Sequence, residues 1–196
     1  MKVLYEKGSL RLLGAQIIGK EGVDKRIDVL ATAMYARLNA AQLKELDLAY
    51  APPYSSAKDP VNMAGFMIEN LANGMVKQIH LPALKDLPQD GSVTLLDTRT
   101  QEEYIRGHAA GFQNIPVDEL RERLQELPQD KPVYVMCQTG LRSYVACRIL
   151  TQYGYDSWNI SGGYAFYRAV MLEQRAQEEA YACGMERVTL SAAEKA

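Results

Sequence analysis

Val133-Tyr134-Val135-Met136-Cys137-Gln138-Thr139-Gly140-Leu141-Arg142-Ser143 is the stretch from which the fold is read. Its first four residues are apolar, and three are β-branched or aromatic, a short run that suits a buried strand. A polar turn with one glycine follows, and residues 142–153 carry a helical pattern. Strand, short turn and helix in succession is the unit of an α/β domain with a parallel sheet. Outward from it, residues 93–96 and 157–160 read as further strands, and residues 100–106 and 117–127 as further helices. Leu-Pro-Gln-Asp occurs at 87–90 and again at 127–130, each time ahead of a strand. Proline ends a helix, so the two copies mark equivalent helix-to-strand entries. Ligands of such sheets bind beyond the carboxyl ends of the strands, which is where Cys137 falls.

Cys137 is the candidate nucleophile. A thiol attacks poorly until it ionises, and a strand-to-helix turn offers unpaired backbone N–H groups together with the positive end of a helix dipole. Arg142 adds a positive charge five residues on, and Gly140 can take the positive φ that lets the loop curl around an anion. Gln138, Thr139, Gly140 and Leu141 then line the transferred group. Ser143 either caps the following helix or bonds to the thiolate. A cysteine after a buried strand is most often a small core residue. Here the Gly, Arg and Ser at fixed offsets favour catalysis.

The loop resembles the active-site loop of the rhodanese (sulfurtransferase) family. Leu95-Leu96-Asp97-Thr98-Arg99, Glu103-Tyr104, Gly107-His108, Asn114-Ile115-Pro116 and Gly162-Gly163 continue the likeness over residues 76–170. Related cysteine phosphatases and arsenate reductases place five residues between Cys and Arg; this loop has four, as sulfur-handling members do. Met136 stands where those phosphatases have a histidine. The resemblance implies that Cys137 accepts a sulfane sulfur, becomes a persulfide and passes the sulfur to a second thiol or other acceptor. Arg142 is the one charged residue of the loop, which weakens thiosulfate as donor and leaves polysulfide, a low-molecular-weight persulfide or coenzyme A persulfide open. Asp97 and Arg99 are expected to bond mainly neighbouring backbone rather than to orient the loop as an ion pair. His108 is not assigned as a general base.

Residues 1–74 form a separate part. Residues 2–6 and 10–18 read as strands about the turn Lys7-Gly8-Ser9, and Val23, Ile27, Leu30, Met34 and Leu38 make the apolar stripe of a helix. Tyr50-Ala51-Pro52-Pro53-Tyr54 is a rigid loop, and residues 61–72 form a second helix. Two strands and two helices make a thin core that wants a partner surface. Leu13-Gly14-Ala15-Gln16, residues 22–28, Tyr50–Ser55 and Lys58-Asp59-Pro60-Val61-Asn62 resemble the dimerisation domain of flavin-dependent pyridine nucleotide-disulfide oxidoreductases of the coenzyme A-disulfide reductase, NADH oxidase and persulfide reductase group. The expected fold is therefore α/β, a rhodanese-like parallel sheet flanked by helices, preceded by an incomplete α+β dimerisation domain, with residues 171–196 as a C-terminal helix and tail. The resemblance further implies a homodimer or association with flavin reductase domains. Tyr50 aligns with a tyrosine that the family presents to the flavin site of the other subunit. FAD, NAD(P)H and CoA are implied only for the full family architecture, with no cofactor held by this chain.

The 196 residues carry 47% apolar and 23% charged side chains and a net charge of −2, with pI about 5.8, so no basic field points to nucleic acid or an anionic membrane. No apolar run reaches a membrane span, and the charged N-terminus does not read as a signal peptide. Cys137, Cys147 and Cys183 are an odd number without a disulfide framework, and the expected location is cytoplasmic. Cys147 reads as core. Cys183 is a candidate resolving thiol. Two histidines provide no metal-ligand spacing. Gly14–Lys20 has P-loop spacing, but Glu21 stands where the magnesium-binding hydroxyl belongs. Two function classes remain: a sulfurtransferase, alone or joined to a flavin reductase, and a non-catalytic dimerisation and interaction module.

Overall fold

The computed structural model describes the backbone of residues 1–182 and the side chains of residues 1–174. The chain divides into two compact units between Lys77 and Gln78.

In the first unit, β1 (Lys2–Tyr5) pairs antiparallel with β2 (Leu12–Gln16). Gly8 and Leu10 take positive φ in the turn between them. Lys2 pairs with Gln16, so Ile17 and Ile18 run past the paired end and β2 is shorter than the apolar run suggests. Helix α1 (Val23–Tyr35) ends before the last member of its stripe. Arg37 turns left-handed at φ 58°, and the Arg37 and Leu38 amides bond back to Met34 O (3.0 Å) and Ala33 O (2.9 Å). This is the C-terminal closure in which a hydrophobic residue just past the helix packs back, as Leu38 does here.

The sequence reading missed α2 (Ala40–Glu45). Its signal was present: Asn39 accepts from Gln42 N while the Gln42 side chain accepts from Asn39 N, a reciprocal cap that stabilises even one and a half turns. Helix α3 (Pro60–Ala72) begins with a second such cap on Asp59, which also receives Arg26 at 3.2 Å. The Asn62 amide donates to Leu43 O and Leu46 O at 3.0 Å, tying α3 to the end of α2. Leu12, Leu30, Ala33, Leu43 and Val61 form the resulting core, so α2 thickens it with a fully buried leucine.

The second unit is a five-stranded sheet in the order β3-β7-β6-β4-β5, where β3 is Lys77–Ile79, β4 Thr94–Asp97, β5 Gln113–Asn114, β6 Val133–Met136 and β7 Ser157–Ile160. β5, β4, β6 and β7 run parallel, and Thr94 lies opposite Val133. The two Leu-Pro-Gln-Asp copies therefore lead into paired neighbours. Helices α4 (Leu81–Leu84), α5 (Gln101–Ile105), α6 (Leu141–Gln152) and α7 (Gly163–Ala182) complete the unit. Side chains alternate across a strand. Met136 joins Phe112 and Ile160 on one face, packed by Tyr104, Tyr134, Tyr164 and Tyr167, while Val133 and Val135 are fully buried on the other. A sheet covered on both faces explains the continuous apolar run of β6.

The helix expected at 117–127 does not form. The segment is a chain of tight turns closed by bonds such as Leu120 N to Val117 O and Arg123 N to Leu120 O, ending in a 3₁₀ turn, Leu124–Glu126. Leu120, Leu124 and Leu127 are buried as the pattern foretold, but the Tyr155 hydroxyl reaches in to Leu124 O at 2.7 Å and Leu127 O at 3.2 Å. Pro128 has no N–H to give Leu124 O, so that carbonyl and Leu127 O would be left over at the end of a helix, and the Tyr155 hydroxyl takes them up. Residue Cys183 lies outside the described residues.

Candidate active site

The site stands at the carboxyl ends of β4, β6 and β7, where the parallel strands leave their last carbonyls and the helix starts converge. Cys137 directly follows β6, and three residues later Gly140, at φ 124°, occupies the N-cap of α6. Only glycine holds that backbone without strain. Helix α6 thus begins at Leu141, one residue ahead of the expected start, and Arg142 lies in its first turn.

Gly140 N–H donates to Cys137 Sγ at 3.1 Å, and the Ser143 hydroxyl lies 3.3 Å from the same sulfur. Ser143 is not the cap; it is fully buried in the first turn, with its Oγ also 3.0 Å from Gly140 O and 2.7 Å from Asn159 Oδ1 on β7. Asn159 was missed, because nothing in its own neighbourhood in sequence connects it to Cys137. Cys137 is itself only 1% exposed. Of the other loop residues, Gln138 is half-buried, Thr139 exposed, and Leu141 points outward.

The positive charge expected of Arg142 is paired with a carboxylate. Its guanidinium closes on Glu103 of α5 through two bonds, 2.6 and 2.8 Å long. Glu103 also caps its own helix, accepting from Thr100 N. The Arg142 hydrogen bond holds the Glu103 carboxyl down at about 2. Arg142 still feels the charge of Cys137, after that of Glu103. A carboxyl lowered in the folded state stabilises it fully above the ordinary value of 4.5, and that contribution is lost as pH falls toward about 2. The stability difference between the parent chain and Glu103→Gln is therefore expected to shrink between pH 5 and pH 2 in urea denaturation. A gap of constant size across that window would remove the clamp from the acid response.

Asp97 and Arg99 also differ from expectation. They form a buried ion pair, 0% and 2% exposed at the side chain, with Arg99 Nη2 2.7 Å from Asp97 Oδ2. Arg99 reaches on to Gly107 O at 2.9 Å and Gln138 Oε1 at 3.5 Å and lies over the Tyr164 ring at 3.9 Å. The pair links β4 to the active loop and to α7. Asn114 completes the corner by donating to Asp97 O and Arg99 O, both at 2.9 Å. His108 stacks on Tyr104 and bonds Tyr104 O through Nδ1, a packing role.

The loop is held from its other side by α7. Tyr164 N and Ala165 N, among the first amides of that helix, donate to Cys137 O (2.8 Å) and Gln138 O (3.0 Å). A side chain at Gly163 would stand 2.5 Å from Cys137 O, so glycine there permits the approach. Arg99, Glu103, Arg106, Gly107, Gln138, Tyr164 and Arg168 line a cavity of about 300 Å³ beside the loop. Burial pushes the Cys147 thiol up to about 12, which makes it inert near neutral pH. Gly14 and Ala15 lie inside β2, so the Gly14–Lys20 stretch wraps no phosphate. Among the described residues no helix is long and apolar enough to cross a membrane, and no cluster of His, Cys, Asp and Glu could hold a metal ion.

Residues 81–169 match the rhodanese-like domain family, and residues 1–61 match the pyridine nucleotide-disulphide oxidoreductase dimerisation domain. A coenzyme A disulfide reductase of Staphylococcus aureus is 50% identical over 66 residues, covering 34% of this chain and 15% of that protein. Two solved structures align across both units. Reduced CoADR-RHD of Bacillus anthracis is 45% identical with a TM-score of 0.83, over 87% of this chain and 30% of its own. An NAD-dependent persulfide reductase from A. fulgidus is 43% identical with a TM-score of 0.75, over 84% of this chain and 29% of its own. The chain thus spans less than a third of the length of these relatives.

Proposed function

From a chain that joins the dimerisation domain of pyridine nucleotide-disulphide oxidoreductases to a rhodanese-like domain, we propose a sulfurtransferase that carries sulfane sulfur on Cys137 and serves a flavin-dependent persulfide or coenzyme A-disulfide reductase. The observation that carries this reading is the sulfur of Cys137, seated at the end of β6 with Gly140 N–H and the Ser143 hydroxyl at 3.1 and 3.3 Å. Both groups favour an anionic sulfur.

In the first step the Cys137 thiolate attacks the outer sulfur of a donor R–S–SH. The new Sγ–S bond forms as the donor's S–S bond breaks, and the electron pair departs with RS⁻. The proton of the transferred sulfur then passes to RS⁻, giving RSH and Cys137–S–S⁻. In the second step an acceptor thiolate takes the outer sulfur and Cys137 returns as thiolate. A cysteine that is 1% exposed suits a donor ending in one slim divalent atom better than a tetrahedral phosphate. The cavity beside the loop would hold the donor's polar remainder, with Arg106 and Arg168 at its rim favouring anionic groups. This partly offsets the scarcity of charge within the loop itself.

Tyr50 is 53% exposed and would be this chain's own offering to a flavin held elsewhere, where FAD and a nicotinamide supply the electrons for disulfide or persulfide reduction. Exposed Ile18, Tyr35 and Tyr54 support the view that the first unit is covered by a partner. The test is intact-mass analysis after separate exposure to thiosulfate, polysulfide and coenzyme A persulfide. One added sulfur on Cys137 from at least one donor is expected. No addition from any of them would leave the chain as a dimerisation and interaction module.

A further inference from the structure

Asn159 is a polar residue at 4% exposure, 22 positions beyond Cys137, with its Oδ1 2.7 Å from Ser143 Oγ and its Nδ2 3.5 Å from Gly140 O. Ser143 Oγ has three acceptors in reach: Asn159 Oδ1, Gly140 O at 3.0 Å and Cys137 Sγ at 3.3 Å. A hydroxyl has one proton to give. Gly140 O accepts from Tyr144 N at 3.0 Å, the opening bond of α6, and keeps a second lone pair for Ser143 or Asn159 Nδ2; the two partners of Ser143 that differ with the charge on sulfur are Asn159 and Sγ. An amide can serve either outcome. Its oxygen accepts the Ser143 proton, and after a half-turn its NH₂ donates to Ser143 Oγ instead.

We propose that Asn159 is a positioning residue for sulfur transfer: through Ser143 it forms a hydrogen-bond chain whose direction reverses as negative charge leaves and returns to Cys137 Sγ. This rests on Cys137 being the sulfur carrier. With Sγ ionised, Ser143 donates to the sulfur and Asn159 Nδ2 donates to Ser143, each bond polarising the next. After the sulfane sulfur is bound, the charge rides on the outer sulfur and Sγ is a neutral, weak acceptor. The Ser143 proton then turns back to Asn159 Oδ1. No proton is transferred along the chain; only its orientation changes. Arg142 and Cys147 on α6 interact with Cys137, and Glu103 of α5 and the Asp97–Arg99 pair at the end of β4 act beyond them. Arg142 is paired with Glu103 and Arg99 with Asp97, so neither responds as Ser143 can.

The experiment uses the full chain and follows alkylation of Cys137 by iodoacetamide against pH. Asn159→Asp presents only acceptors, which holds the Ser143 proton away from sulfur. The pH midpoint of alkylation is expected to rise by about one unit, roughly tenfold slower reaction below the midpoint. In a Ser143→Ala background the same substitution should move the midpoint less than half as far. An unchanged midpoint, or an equal shift without Ser143, overturns the proposal. A second measurement needs no change at residue 159: the side-chain Nδ2 resonances of Asn159, followed by ¹⁵N NMR, should shift as Cys137 ionises and stay fixed in Cys137→Ala. Resonances that stay fixed in the parent chain also overturn it. Neither readout needs turnover. If no donor loads Cys137, the sulfurtransferase reading falls, while these titrations still report on the chain of hydrogen bonds.

Discussion

Cys137→Ala is expected to abolish sulfur transfer, lowering persulfide- or polysulfide-dependent turnover at least about 10³-fold, while the domain stays folded. The substitution removes one buried sulfur and leaves Gly140 N–H without its acceptor at 3.1 Å. Ser143 keeps Asn159 Oδ1 at 2.7 Å, so the buried hydroxyl is not orphaned. The stability cost should be about 1–2 kcal/mol, for one lost acceptor and a small cavity. Cys147 cannot substitute, since its thiol is held near 12 by burial. Turnover with each donor, intact mass and a thermal melt of the same preparation check the result. Retained turnover, or an added sulfur found in the variant, would sink the assignment of Cys137.

Asp97→Ala has the largest expected effect on stability. Removing the carboxylate leaves the Arg99 guanidinium, 2% exposed, as an uncompensated buried charge. Such a loss costs about 3–5 kcal/mol, a fall in Tm of at least about 12 °C for a domain of roughly 100 residues. The damage should spread, because Arg99 also holds Gly107 O at 2.9 Å, the Tyr164 ring at 3.9 Å and Gln138 of the active loop. The double variant Asp97→Ala/Arg99→Met takes away both charges and is expected to melt above Asp97→Ala alone. A single variant within about 1 kcal/mol of the parent chain would mean that the pair is not a keystone of the corner.

The elements that could be read from the sequence are those built by local rules. β6, the turn after it and α6 occupy one continuous segment, where an apolar run, a glycine at the N-cap and a helical pattern each follow from neighbours a few residues away. The first-unit strands, α1 and α3 were legible in the same way, as were the turn residues between them. Helix α2 was legible in principle, through Asn39 and Gln42, but six residues carry too little periodicity to draw the eye. Residues 117–127 show the reverse case. Their apolar spacing is right and their buried leucines are the expected ones, yet the segment closes as successive tight turns and its last carbonyls are met by Tyr155, 31 residues beyond Leu124.

The sequence by itself determined an α/β domain with a cysteine at the carboxyl end of a central strand, its loop length, and the family likeness of both parts. Only the tertiary structure decided how that cysteine is served. Glu103 meets Arg142 across 39 residues, Asn159 meets Ser143 across 16, and the first amides of α7 close on the carbonyls of Cys137 and Gln138. Each of these bonds joins segments whose separation is set by strand order, not by spacing along the chain. Strand order depends on which apolar faces pack together, a property of the whole sheet that no short stretch of residues contains.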